Sequence, residues 1–139
     1  MEVKIKKLNE NAVIPRYAHP TDAGLALVAV SKSKDRDGNF VYGTGLAFEI
    51  PEGLVRHVFP RSSVSERCIS MDNCVGVIRS GYREEVTAKF RPHLFAKPYD
   101  KGDRVAKMFI MPYAHVDFVE VYELSESDRG DGGYGSTGK

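Results

Sequence analysis

The side chains best equipped for chemistry lie near the end of the chain. Arg129, Tyr134, Gly135, Ser136 and Thr137 sit among the five glycines of SESDRGDGGYGSTGK, residues 125–139. A guanidinium can fork onto a phosphate, a phenol ring can stack, and glycines let backbone amides approach an anion. That mixture could close over an anionic, aromatic ligand. The structural alternative is a solvated tail, and either way the stretch holds too little apolar surface to order itself, so a mobile arm is expected. Gly133 to Lys139 also spells the start of a phosphate-binding G-x-x-x-x-G-K loop. The hydroxyl residue and the helix that such a loop requires do not follow, and the match is accidental.

Other reactive residues are sparse. Cys68 and Cys74 have no Cys or His partners at zinc-site spacing and read as reduced thiols. His19, His57, His93 and His115 form no metal-binding spacing, so no metal site is expected from histidine. No order of Ser, His and Asp stands out as a triad.

The elements that must position these groups are strands. Alternation of Val3 and Ile5 with charged neighbours marks one. Further strands are expected over residues 25–30, 40–42, 46–50, 54–59, 75–78, 86–90, 105–111 and 116–122, punctuated by Gly, Pro, Asn and Asp as at Asp37-Gly38-Asn39. A single short helical turn is expected over 63–67. The pattern predicts an all-β antiparallel sandwich or barrel over 1–124, followed by the arm at 125–139.

With 139 residues the chain suffices for one core, and its 20 basic against 19 acidic side chains give no bulk pull toward nucleic acid or membrane. A local basic pocket is compatible with that balance. MEVKIKKLNE lacks the apolar core of a signal peptide, and no run approaches the length of a membrane span. A soluble cytoplasmic domain is expected.

Five segments in order carry a family resemblance. They are Thr21-Asp22-Ala23-Gly24-Leu25-Ala26-Leu27, Pro60-Arg61-Ser62-Ser63, Asn73-Cys74-Val75-Gly76-Val77-Ile78-Arg79-Ser80-Gly81-Tyr82, Gly102-Asp103-Arg104-Val105-Ala106-Lys107, and the run from Arg129 to Gly138. Together they resemble the trimeric dUTPases, the dUTP diphosphatases, over nearly the whole chain. The resemblance implies a jelly-roll-like subunit and a homotrimer with sites at subunit interfaces, each using segments of all three chains. It also implies attack of water on the α-phosphorus of dUTP, giving dUMP and pyrophosphate, with magnesium on the triphosphate.

Residue by residue, the resemblance puts Asn73 at the uracil edge, where an amide offers both donor and acceptor. It puts Tyr82 under the deoxyribose, with Gly76, Val77 and Ile78 in the same nucleotide-binding segment. Arg61, Ser62 and Ser63 would hold phosphate oxygens, Tyr134 would stack over uracil, and Arg129 would reach the γ-phosphate beside Gly135, Ser136 and Thr137. Lys107 joins them at the phosphates. Arg104 reads as a support of fold and trimer through an ion pair.

Three departures fall on the chemistry itself. The water-activating Asp of the family is Arg79, a permanent cation that cannot take a proton. A second Asp, which helps hold the metal's water shell, is Ala26, and a usual Gln is Lys107. Glu84 also replaces a usual Gly in the base-reading hairpin. Two carboxylates lost and two cations gained shift the local charge by about +4 at neutral pH, which disfavours magnesium and favours direct phosphate neutralisation. Two readings stay open. One is a trimer that binds deoxyuridine nucleotides with hydrolysis impaired or altered, with a protein partner left open. The other is an active dUTP diphosphatase with a non-standard water activation, for which His19 is the first substitute base by position, or an Arg79 turned away to pair with Asp72, Glu84 or Glu85. The related dCTP deaminases are set aside because Thr87-Ala88-Lys89 stands where they carry a Glu.

Overall fold

A computed structural model describes residues 1–136 and 138. Among the described residues, ten strands and one 3-10 turn make up the regular structure. They are β1 (Lys4–Lys7), β2 (Leu25–Val28), β3 (Ser31–Lys34), β4 (Phe40–Gly43), β5 (Leu46–Glu49), β6 (Leu54–Pro60), β7 (Ile69–Met71), β8 (Gly76–Ile78), β9 (Thr87–Pro92) and β10 (Arg104–Pro112), with the 3-10 turn at Ser62–Glu66. One four-stranded sheet runs β2-β10-β6-β8, a second runs β3-β4-β9-β7, and β1 pairs with β5. Every pairing is antiparallel, the sheets are not closed into a barrel, and the architecture is the expected jelly-roll-like β fold.

The core lies between the sheets, where alternation sends one face of each strand inward. Leu27 of β2, Val58 of β6 and Met108 of β10 meet Tyr42 of β4 and Phe90 of β9, all essentially without exposure. Tyr42, Phe90 and Tyr99 pack edge to face, with ring centroids 5.5–6.0 Å apart. The Tyr42 hydroxyl donates to the Tyr99 carbonyl at 2.9 Å, and burial pushes its phenol up to about 12.

Two strands escaped the expectation. The β3 sequence SKSK is polar, and it is held by pairing with β4 while the Lys32 and Lys34 ammonium groups lie 5.7 and 5.1 Å from the centre of the Phe40 ring. The three-residue β7 is too short for a periodic signal. One expected strand is absent. Residues 116–122 pair with no strand, and Phe118, Val119 and Tyr122 are 95%, 82% and 107% exposed. Their alternation is real, but among the described residues no strand pairs with it. Among the described residues no helix is long and apolar enough to cross a membrane.

Candidate functional site

The first cavity, about 640 Å³, lies between β2, β10 and residues 12–18. Backbone geometry brings its cations together. A register shift inserts one extra residue between Arg104 and Ala106, so Val105 and Ala106 are both buried. Without that bulge, Arg104 and Lys107 would face opposite sides of the strand; with it, both line the cavity. Lys107 sits directly opposite Ala26. Its stem crosses Gly24, where an added Cβ would lie 3.2 Å from Lys107 Cδ and 2.7 Å from the Phe109 ring. A larger residue there would have to displace the Phe109 ring and crowd the Lys107 stem. Arg61 donates to the Arg104 carbonyl at 3.0 Å, and Lys7 and Arg16 complete the lining.

Five cations therefore face one carboxylate, Asp22, whose Oδ2 accepts the His19 N–H at 3.2 Å. Among the described residues none of the five, Arg104 included, forms an ion pair within the chain. Magnesium prefers carboxylates, or waters that carboxylates hold. One engaged carboxylate among five cations is a poor donor set, and the described residues contain no cluster of three or more His, Cys, Asp or Glu able to hold a metal. The cavity does not fit a magnesium ion held by this chain.

The second cavity, about 1030 Å³, lies along β6, β8 and the following loop. It gathers Asn73, Val77, Ile78, Arg79 and Tyr82 as expected, and adds His57 and Glu85. Gly76 lies on the inward side of β8, its Cα position backed by Val58 at 3.3 Å from an added Cβ. Asn73 bridges to β9: its Nδ2 donates to the Thr87 carbonyl at 3.2 Å, and its Oδ1 accepts the Lys89 N–H at 3.0 Å. An amide has two N–H donors and two lone pairs, so one of each is left for a ligand.

Tyr82 is not a core aromatic. Its N–H closes a turn onto the Arg79 carbonyl at 3.2 Å, its hydroxyl donates to the Glu85 carbonyl at 3.3 Å, and it is 43% exposed in the cavity. Arg79 does not turn away to a carboxylate. Asp72 pairs instead with Arg91 at 2.7 Å, and Glu85 Oε1 accepts the Gly45 N–H at 2.6 Å.

Sequence reasoning missed Arg56 and named His57 only among four histidines, ranking it behind His19. His57 stands opposite Val77 on the outward face, two residues along the strand from Arg79, and its Nδ1 is buried without a hydrogen-bond partner. His19, the first substitute base by position, lines neither cavity. Arg56 lies beneath the Tyr82 turn, fully buried, with its guanidinium 5.0 Å from the Phe48 ring centre. It donates one hydrogen bond, to the Tyr82 carbonyl at 3.4 Å, while Nε and the other terminal nitrogen have none. Burial pulls this guanidinium down to about 10.

The remaining expected residues lie elsewhere. Ser62 and Ser63 open the 3-10 turn beside Arg61, and Ser63 Oγ is buried without a partner. Arg129 donates from Nε to the Gly132 carbonyl at 3.0 Å. Tyr134 is fully exposed, and it, Gly135 and Ser136 line neither cavity. Thr137 lies outside the described residues. One chain thus carries a polycationic cavity, an amide-and-ring cavity and a glycine-rich segment in separate places.

Comparison with known proteins identifies the family and the fold. The family model described as dUTPase matches residues 10–138. The deoxyuridine 5'-triphosphate nucleotidohydrolase of Helicobacter hepaticus is 42% identical, with 99% of this chain and 89% of that protein covered. Its namesake from Nautilia profundicola is 39% identical with both chains fully covered. Among solved structures, the dUTPase of Staphylococcus bacteriophage 80alpha with dUPNHPP superposes with a TM-score of 0.83 at 25% identity, covering 99% of both chains. A mutant dUTPase from phage phi11 of S. aureus, described with a coordinated structural Mg(II) ion, gives 0.74 at 23% identity over 88% of this chain and 98% of that one, a likeness of fold.

Proposed function

The chain belongs to the dUTPase family, and from that premise we propose that it is a dUTP diphosphatase acting as a homotrimer in the cytoplasm. The relatives named as nucleotidohydrolases favour this active reading over impaired hydrolysis. The observation that carries it is the meeting of Asn73, Ile78, Arg79 and Tyr82 in one cavity, with the cations placed in another. Three chains can then bring an amide-and-ring cavity, a polycationic cavity and a glycine-rich segment to each nucleotide. The exposed thiols of Cys68 and Cys74 suit a reducing compartment.

In this reading Asn73 offers its free donor and acceptor to the uracil edge, and Tyr82 packs under the deoxyribose. Arg79 holds the negative charge that grows on the α-phosphate as water attacks. The water oxygen bonds to the α-phosphorus, the bond to the β-bridging oxygen breaks, and pyrophosphate leaves with that electron pair. The proton released by the water needs an acceptor other than Arg79. His57 lines the cavity, and because its Nδ1 is closed to solvent its Nε2 is the nitrogen left to meet the water, whereas Glu85 already accepts Gly45 through Oε1. We assign the role to His57. Magnesium bound on the triphosphate would neutralise charge; the donor set does not call for it, and no step depends on it.

The test is pyrophosphate release from dUTP, with binding heat followed in parallel. Release that falls by about a hundredfold in His57→Gln, with dUMP affinity unchanged, supports the assignment. One observation favours a second reading, a nucleotide receptor without turnover: a permanent cation stands where the family has its base. Binding without release, converted to release by Arg79→Asp, would establish that reading instead.

A further inference from the structure

We infer that the first cavity binds the triphosphate directly, as a polyanion without a divalent cation, and that Lys7 and Arg16 are phosphate ligands there together with Arg61, Arg104 and Lys107. This rests on the nucleotide reading above and specifies how the same site meets its substrate. Five cations line one cavity against a single carboxylate, and none is ion-paired among the described residues. Single unpaired cations such as Lys6 and Lys101 occur elsewhere among the described residues, and Lys4, Lys32, Lys89 and Arg91 each pair with a carboxylate at 2.6–2.7 Å; the gathering of five on one cavity is what sets this place apart. Like charges brought together repel, and the arrangement is relieved by an anion of matching charge.

Local construction points the same way. The bulge in β10 turns Arg104 toward Lys107, and Gly24 is bare so that the Lys107 stem can cross it. The residue opposite Lys107 is Ala26, which offers its ammonium no counter-ion. Lys7 donates only to the backbone carbonyl of Glu10, at 2.7 Å, and Arg61 only to that of Arg104, so both retain donors for phosphate oxygens. Guanidinium groups match phosphate bidentately and ammonium groups act as point charges, which together suit a chain of phosphates. A divalent cation in such a cavity would meet repulsion from the protein as well as attraction from the ligand.

The test is calorimetric titration of the full chain with dUMP, dUpNHpp and inorganic tripolyphosphate, in EDTA and in magnesium. The expected result is a dUpNHpp affinity in EDTA within about threefold of that in magnesium, and measurable tripolyphosphate binding in EDTA. Lys7→Ala and Arg16→Ala, both at exposed positions, should each weaken dUpNHpp by about tenfold and leave dUMP within about twofold. The double variant Ala26→Asp, Lys107→Gln should make dUpNHpp binding depend on magnesium. A tenfold or greater loss of dUpNHpp affinity on chelation, or no effect of Lys7→Ala and Arg16→Ala, overturns the inference. If dUMP binds but dUpNHpp in EDTA binds no tighter, the inference falls alone. If dUMP fails to bind while tripolyphosphate does, the polyanion cavity stands and the deoxyuridine reading falls.

Discussion

At the scale of single residues, Arg56 sets stability against function. A fully buried guanidinium with one long hydrogen bond has left water without full compensation, and burial lowers its proton affinity accordingly. Its folded value of about 10 lies below the ordinary one, so the charged form costs stability at every pH below about 10. That cost is relieved only as the pH rises past it. Arg56→Met keeps the stem's packing against Phe48 and removes the charge. The expected outcome is a gain of about 1–4 kcal/mol in urea unfolding. The same change removes the donor that holds the Tyr82 carbonyl, so dUMP affinity should fall in the stabilised variant. A variant that is destabilised, or that keeps full affinity, would show that Arg56 has a partner in the assembled protein.

At the scale of elements, the β3–β4 turn links charge to strand pairing. The Asp35 carboxylate accepts the N–H groups of Asp37 and Asn39 and pairs with Lys89 of β9 at 2.6 Å, while Gly38 takes the positive φ of 83° that the turn requires. The Lys89 ammonium first, and the turn amides after it, hold the Asp35 carboxyl well below the usual carboxylate range, and Asp35 raises Lys89 in return. A lowered carboxylate stabilises the fold above its ordinary value near pH 4 and loses that contribution as the pH falls below it. Asp35→Asn should therefore lower the melting temperature at about pH 7, with the difference from the parent shrinking as the pH falls below about 4 and only partly gone at about pH 2. Thermal scans at both pH values check this. The turn itself was legible from Asp37-Gly38-Asn39, as were the strands whose apolar residues alternate. The β3 strand was not, because its lysines are satisfied by the Phe40 ring of the next strand and by the Asp100 carboxylate from a distant part of the chain. Nor was Arg56, since a lone arginine between Val55 and His57 reads as outward-facing. The motif around Asn73 and Tyr82 pointed to residues that share one cavity, but the bulge that joins Arg104 to Lys107 leaves no mark in residue type.

At the scale of the whole molecule, the outstanding feature is what stays uncovered. Residues 116–124 carry Phe118, Val119, Tyr122 and Leu124, each more than 80% exposed, on backbone that pairs with nothing in its own chain. Burying side chains of this size is worth about 1.5–3 kcal/mol apiece, which makes another copy the natural cover in the proposed trimer. Phe118→Asp should shift the protein from trimer to monomer in analytical ultracentrifugation and abolish pyrophosphate release with it. A trimer that survives Phe118→Asp would place the subunit contacts elsewhere.

Such an uncovered stretch makes the protein's fate a matter of dosage. Association of three chains, as proposed, would respond steeply to supply, and until partners arrive each new chain would display an apolar stretch to chaperones and proteases. Halving expression would then cost more than half of the assembled protein. Raising it past the assembly threshold would protect every chain already made.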